Sequence, residues 1–129
     1  MILVVDDDPN IAETCSMLLE AHGYAVRVAF CGEEALSQIK VQQPQLLISD
    51  CCMPDLSGLE LSKRLNAGQN GSPFPILLMS GSLQCRVAPG NSYDAFIKKP
   101  FLAEKLLGHV RELLDCKRLP SRESPRGTP

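Results

Sequence analysis

Ile2-Leu3-Val4-Val5-Asp6-Asp7-Asp8-Pro9 runs four apolar residues straight into three carboxylates and a proline. An apolar run without alternation is what a strand covered on both faces requires, because successive side chains point to opposite sides of a sheet. Asp8 then reads as a helix N-cap and Pro9 as the first helical residue, where the missing N–H costs nothing. Ile11, Cys15, Leu18 and Leu19 recur on one helical face until Gly23 ends it. A buried strand, an acidic turn and an amphipathic helix follow from this one stretch.

The same unit repeats along the chain. Further apolar runs occur at Tyr24 to Ala29, Leu46 to Ile48, Ile76 to Met79 and Ala95 to Ile97. All but the first of these, which alternates around Arg27, are continuous and are expected to be covered on both faces. Residues 33 to 40 place Ala35, Leu36 and Ile39 on one face. Ser57 is expected to cap a helix with Leu61 and Leu65 inward, and residues 102 to 117 carry Leu102, Leu106, Val110, Leu113 and Leu114 at helical spacing. Between the fourth and fifth strands, Pro89-Gly90-Asn91 limits any helix beginning near Ser82 to a short or irregular one.

Strand and helix therefore alternate, which forces parallel strands, right-handed crossovers and helices on both sheet faces. The expected fold is α/β: a doubly wound, five-stranded parallel sheet, with one domain over residues 1–117. Residues 118–129 have almost nothing to bury and are expected to be a disordered tail or linker stub.

At 129 residues the chain is the size of one domain, too short for a two-lobed enzyme with a cleft between lobes. Lys and Arg total 13 against 15 Asp and Glu, a net charge of −2, so no basic field suits a nucleic acid. No apolar run approaches the roughly 20 residues of a membrane span. The start at Met1 has neither the basic region nor the apolar length of a secretory signal, so the chain is expected to be cytoplasmic. The cysteines at 15, 31, 51, 52, 85 and 116 form no C-x-x-C, and neither His22 nor His109 stands at zinc spacing from a pair. They are expected to be reduced thiols.

Chemistry in an open parallel sheet collects at the carboxyl ends of the strands. There the first strand runs into Asp6, Asp7 and Asp8, the third into Ser49-Asp50, the fourth into Ser80 and the fifth into Lys98-Lys99-Pro100. With strand order 2-1-3-4-5, Asp6, Asp7 and Asp50 crowd together. Such carboxylates raise one another's pKa unless they share a cation, and oxygen-only ligands open to water favour Mg²⁺. Metal, carboxylate, hydroxyl and lysine together describe phosphoryl chemistry. Asp8 is expected to be only a cap, and Lys98 a solvated neighbour of Lys99.

These residues, with Leu46-Leu47-Ile48-Ser49-Asp50-Cys51-Cys52-Met53-Pro54, Ser57-Gly58, Met79-Ser80-Gly81 and Lys99-Pro100-Phe101, resemble the receiver domain of two-component response regulators over residues 1 to about 117. The resemblance implies a flavodoxin-like (βα)₅ fold like that of chemotaxis regulators. It makes Asp50 the phosphoacceptor, and Asp6, Asp7, Asp50 and the backbone carbonyl of Cys52 the Mg²⁺ ligands. Ser80 and Lys99 would contact phosphoryl oxygens, Ser80 and Phe96 would act as the switch, and Lys99-Pro100 would be a cis peptide. It also implies a histidine kinase or phosphotransfer protein as donor and a downstream protein or effector domain as target, with Asp50 modified rather than an enzyme's substrate turned over. Phe96 stands where the family more often has tyrosine, so a phenolic hydrogen bond is lost from the switch. Cys52, two positions after the acceptor, is expected to tune phosphate lifetime.

Two other readings compete. A haloacid-dehalogenase-like phosphatase would use Asp6 as nucleophile and Asp8 as acid/base, with Ser80 and Lys99 in support. Against it, Asn10 stands where that motif has a small β-branched residue, no late acidic pair follows Lys99, and Asp50 is left without a role. A receiver-shaped interaction module that is never phosphorylated is the second.

Overall fold

A computed structural model describes residues 1–51, 58–65, 74–80 and 94–118. The elements are β1 (Ile2–Val5), α1 (Pro9–Ala21), β2 (Val26–Ala29), α2 (Gly32–Val41), β3 (Leu46–Asp50), α3 (Gly58–Leu65), β4 (Ile76–Ser80), β5 (Ala95–Lys98) and α4 (Ala103–Arg118). All strand pairs are parallel, in the order β2-β1-β3-β4-β5. This is the expected doubly wound sheet.

The continuous apolar runs divide their side chains between two cores. Leu3, Val5, Leu47, Ile76 and Leu78 face α2 and α3, where Ala35, Ile39 and Leu61 cover them. Ile2, Val4, Leu46, Ile48, Leu77 and Met79 face α1 and α4, meeting Cys15, Leu19, Leu106, Leu107 and Val110. Each of β1, β3 and β4 is buried at every position. Period-2 geometry requires this when helices lie on both faces.

Local chemistry sets the ends of α1. Asp8 is its N-cap and Pro9 opens the helix. Gly23 takes φ +93°, a conformation that side-chain-bearing residues avoid. That turn lets Tyr24 N–H reach Leu19 O at 3.1 Å and Gly23 N–H reach Glu20 O at 3.0 Å, the paired bonds of a Schellman C-cap.

Three expectations need correction. The second strand begins at Val26 rather than Tyr24, because Tyr24 is occupied in the α1 cap. β5 alternates instead of being covered on both faces: Ile97 is buried, while Phe96 and Lys98 are exposed, as suits an edge strand. Leu102, placed on the apolar stripe of the last helix, is 73% exposed. It precedes the first helical residue, Ala103, so the stripe starts at Leu106 and includes Leu107. Ser57, the segment from Ser82 to Pro89-Gly90-Asn91, and residues 119–129 lie outside the described residues.

The contrast between Leu77 and Leu102 is testable by urea unfolding. Leu77→Ala removes a side chain with no exposure and is expected to cost about 2–5 kcal/mol. Leu102→Ala should stay within about 0.5 kcal/mol of the parent.

Candidate functional site

β1 and β3 are neighbours, and their last paired residues are Val5 and Ser49. One step further stand Asp6, 1% exposed, and Asp50, 7% exposed. Asp7, on the turn between β1 and α1, is exposed. One carboxylate oxygen from each of Asp6, Asp7 and Asp50 lies within 4.8 Å of the others.

Lys99 reaches this group from the end of β5, the last strand in the sheet order. Its backbone N–H donates to Ser80 O at 2.7 Å, extending the β4–β5 ladder one step beyond the Ser80–Lys98 pair. Its ammonium donates to Asp6 Oδ2 at 2.9 Å and to Asp50 Oδ1 at 3.2 Å. Burial alone would lower the Lys99 pKa. Hydrogen bonds to both acids and their negative charge outweigh that, holding the amine above its ordinary 10.5.

Nearby thiols respond to the same field. Burial pushes the Cys15 and Cys51 thiols up from 9.0 to about 11, with the charge of Asp6 adding at Cys15 and that of Asp50 at Cys51. Both are therefore protonated, weakly reactive thiols at neutral pH.

The donors fit a hard divalent cation. Three carboxylates, one of them open to water, suit an ion such as Mg²⁺ that keeps several waters. Ser80 is buried at the end of β4, and Phe96 on β5, 37% exposed, pairs in register with Leu78 of β4. The Lys99-Pro100 peptide is cis, as expected. Cys52, with its carbonyl, lies outside the described residues. Asp8 stands apart from the three acids, since its Oδ1 accepts from Asn10 N–H at 2.9 Å as the α1 cap.

Two features are absent from the sequence reading. The Asp8 N–H donates to Asp6 Oδ1 at 2.9 Å, an Asx-type turn whose only trace in sequence is an aspartate two residues before the cap. A cavity of about 550 Å³ opens between α1 and the Lys99-Pro100-Phe101 turn, with Ile11, Cys15 and Leu18 on its helical wall.

The family model of the response regulator receiver domain matches residues 2–111. The chain belongs to this receiver family. It is 39% identical over 114 residues to the response regulator MprA of Mycobacterium avium (strain 104), covering 88% of this chain and 50% of that protein. It thus spans about half the length of the curated relatives it matches. A CheY-like receiver domain protein from Methanospirillum hungatei JF-1 superposes with a TM-score of 0.80 at 31% identity, over 90% of this chain and 94% of that one. The receiver domain of a signal transduction histidine kinase from Syntrophus aciditrophicus gives 0.77 at 31%, over 88% and 89%. The chain is accordingly a receiver domain of the two-component response regulator type. The phosphatase reading gains nothing from these likenesses.

The receiver's acid cluster carries more negative charge than Lys99 neutralises, so removing an acid should stabilise the metal-free fold. Asp7→Asn is expected to raise the melting temperature by a few degrees in chelator, and to gain less than the parent when millimolar Mg²⁺ is added.

Raised thiol and amine pKa values set an alkaline limit. Between pH 9.0 and about 11 the unfolded chain loses its thiol protons before the folded one, so stability falls as pH rises. Lys99 adds the same sign, its contribution being full below 10.5 and lost as pH passes through the higher folded value. Melting temperature should decline steadily above pH 9, and Cys15→Ala should make the slope between pH 9 and 11 shallower.

Proposed function

We propose that Asp50 is the phosphoacceptor of this receiver domain and that the phosphoryl group comes from a phosphohistidine on a partner kinase or phosphotransfer protein. The observation that carries the reading is the grouping of a nearly buried Asp50 with two further carboxylates and the Lys99 ammonium at the carboxyl edge of the sheet. In the transfer, an Asp50 carboxylate oxygen forms a bond to phosphorus as the nitrogen–phosphorus bond of the donor breaks. The imidazole leaves with that electron pair and takes a proton from water.

Mg²⁺, held by Asp6, Asp7, Asp50 and the Cys52 carbonyl, would supply positive charge against the phosphoryl oxygens. The chain's own residues do the rest. Lys99 holds Asp50 in place beforehand and exchanges a carboxylate oxygen for a phosphoryl oxygen afterwards, and Ser80 hydrogen-bonds another. Contacts made only with phosphate present, at about 1.5–3 kcal/mol each, are enough to bias a two-state element. Ser80 and Phe96 on the β4–β5 edge are that element. A downstream protein or an effector domain reads the change, in keeping with the greater length of the relatives.

Intact mass after incubation with acetyl phosphate tests this. A single Mg²⁺-dependent phosphoryl addition, absent in Asp50→Asn, is expected. An addition that survives Asp50→Asn would overturn the assignment, and none under any condition would leave a module acting by its surface alone.

A further inference from the structure

We propose that Asp8 is a positioning residue for the metal site: by capping α1 it fixes the backbone N–H that orients Asp6 toward Lys99 and a divalent ion. The inference rests on the metal-binding reading above.

Asp6 is 1% exposed, so its carboxylate is oriented by donors inside the fold rather than by bulk water. Two donors do so. Asp8 N–H holds Oδ1 and Lys99 Nζ holds Oδ2, each at 2.9 Å, which together fix the plane of the carboxylate. Lys99 divides its ammonium between Asp6 and Asp50, whereas the Asp8 N–H donates to Asp6.

That N–H points at Asp6 while Asp8 keeps φ −92° and ψ 109°. Pro9 favours this extended conformation by crowding the helical one. The Asp8 side chain completes it, with Oδ1 accepting from Asn10 N–H at 2.9 Å and its carbonyl accepting from Ala12 N–H at 3.0 Å. One residue thus starts the helix with its carboxylate and carbonyl and orients the buried acid with its N–H. An ordinary cap does only the first. Groups that hold a metal ligand from behind typically change metal affinity by about 10- to 100-fold when lost.

The test uses the full chain without phosphate. Mg²⁺ affinity is read by calorimetric titration, and protection of the residue-8 amide against hydrogen exchange is read by NMR in chelator. Asp8→Ala is expected to weaken Mg²⁺ about tenfold and to reduce amide protection by a similar factor. Asp8→Asn keeps the cap without the charge and should stay within about threefold on both readouts. Ile39→Val, a destabilising change in the opposite core, should alter neither. Asp8→Ala that melts earlier but keeps Mg²⁺ affinity and amide protection would reduce Asp8 to a helix cap. Asp8→Asn behaving like Asp8→Ala would mean that the carboxylate charge acts on the ion directly, and would equally overturn the proposal. If the parent binds no Mg²⁺, it is the metal reading that fails, while the exchange measurement still decides whether the cap orients Asp6.

Discussion

The Lys99 ammonium bridging Asp6 and Asp50 is the contact on which the carboxyl edge of this sheet depends. Two carboxylates at the ends of adjacent strands would repel if left alone in a nearly dry site. A cation about 3 Å away offers each of them roughly 5 kcal/mol of attraction at an effective dielectric of about 20, before desolvation is subtracted. The net is far smaller. What matters more is that removing the amine would take away a positive charge that Asp6 and Asp50 share. Because Lys99 is also tied by its backbone to Ser80, the bridge joins β5 and β4 to β3 and β1 through one side chain.

That arrangement is possible only because of strand order. β1 sits between β2 and β3, so residues far apart in sequence end side by side, and the acids need no long loops to meet. The two cores make the strand ends rigid: β1, β3 and β4 are buried along their length, and α1 and α4 pack on the face from which Lys99 approaches. The small backbone turn at Asp8 completes the framework, because it spends the N–H exposed at a helix start on a carboxylate instead of on water.

How far all this is legible in the sequence follows from where periodicity carries information. Ile2–Val5 and Ile76–Met79 are readable because a doubly covered strand must be apolar at every position. Ala95–Ile97 misleads, since three small or apolar residues in a row do not reveal that Phe96 lies on an edge. Leu102 misleads for a related reason: spacing of four matches the helix, but periodicity does not say where the helix starts, and Pro100-Phe101 delays it to Ala103. The grouping of Asp6, Asp7, Asp50 and Lys99 is legible because each ends or follows a strand, and topology does the rest. The Asp8 N–H bond is not, because a backbone donor has no residue type to betray it.

The same cluster explains why such a site is poised. Three carboxylates cluster where one ammonium contacts two of them, so the edge is rich in negative charge and gains from an added cation. A phosphoryl group on Asp50 would add further charge at the point Lys99 already touches, and the lysine side chain would follow it. Its backbone cannot move far, because the N–H is held by Ser80 O at 2.7 Å. The pull would therefore be absorbed along β4 and β5. Strand β5 carries Phe96 and Lys98 on its exposed positions and, unlike β1 or β3, has no strand on its outer side among the described residues. A charge change at the carboxyl edge of the sheet would thus be passed to β5 at the end of the strand order, as a surface that another protein reads would require.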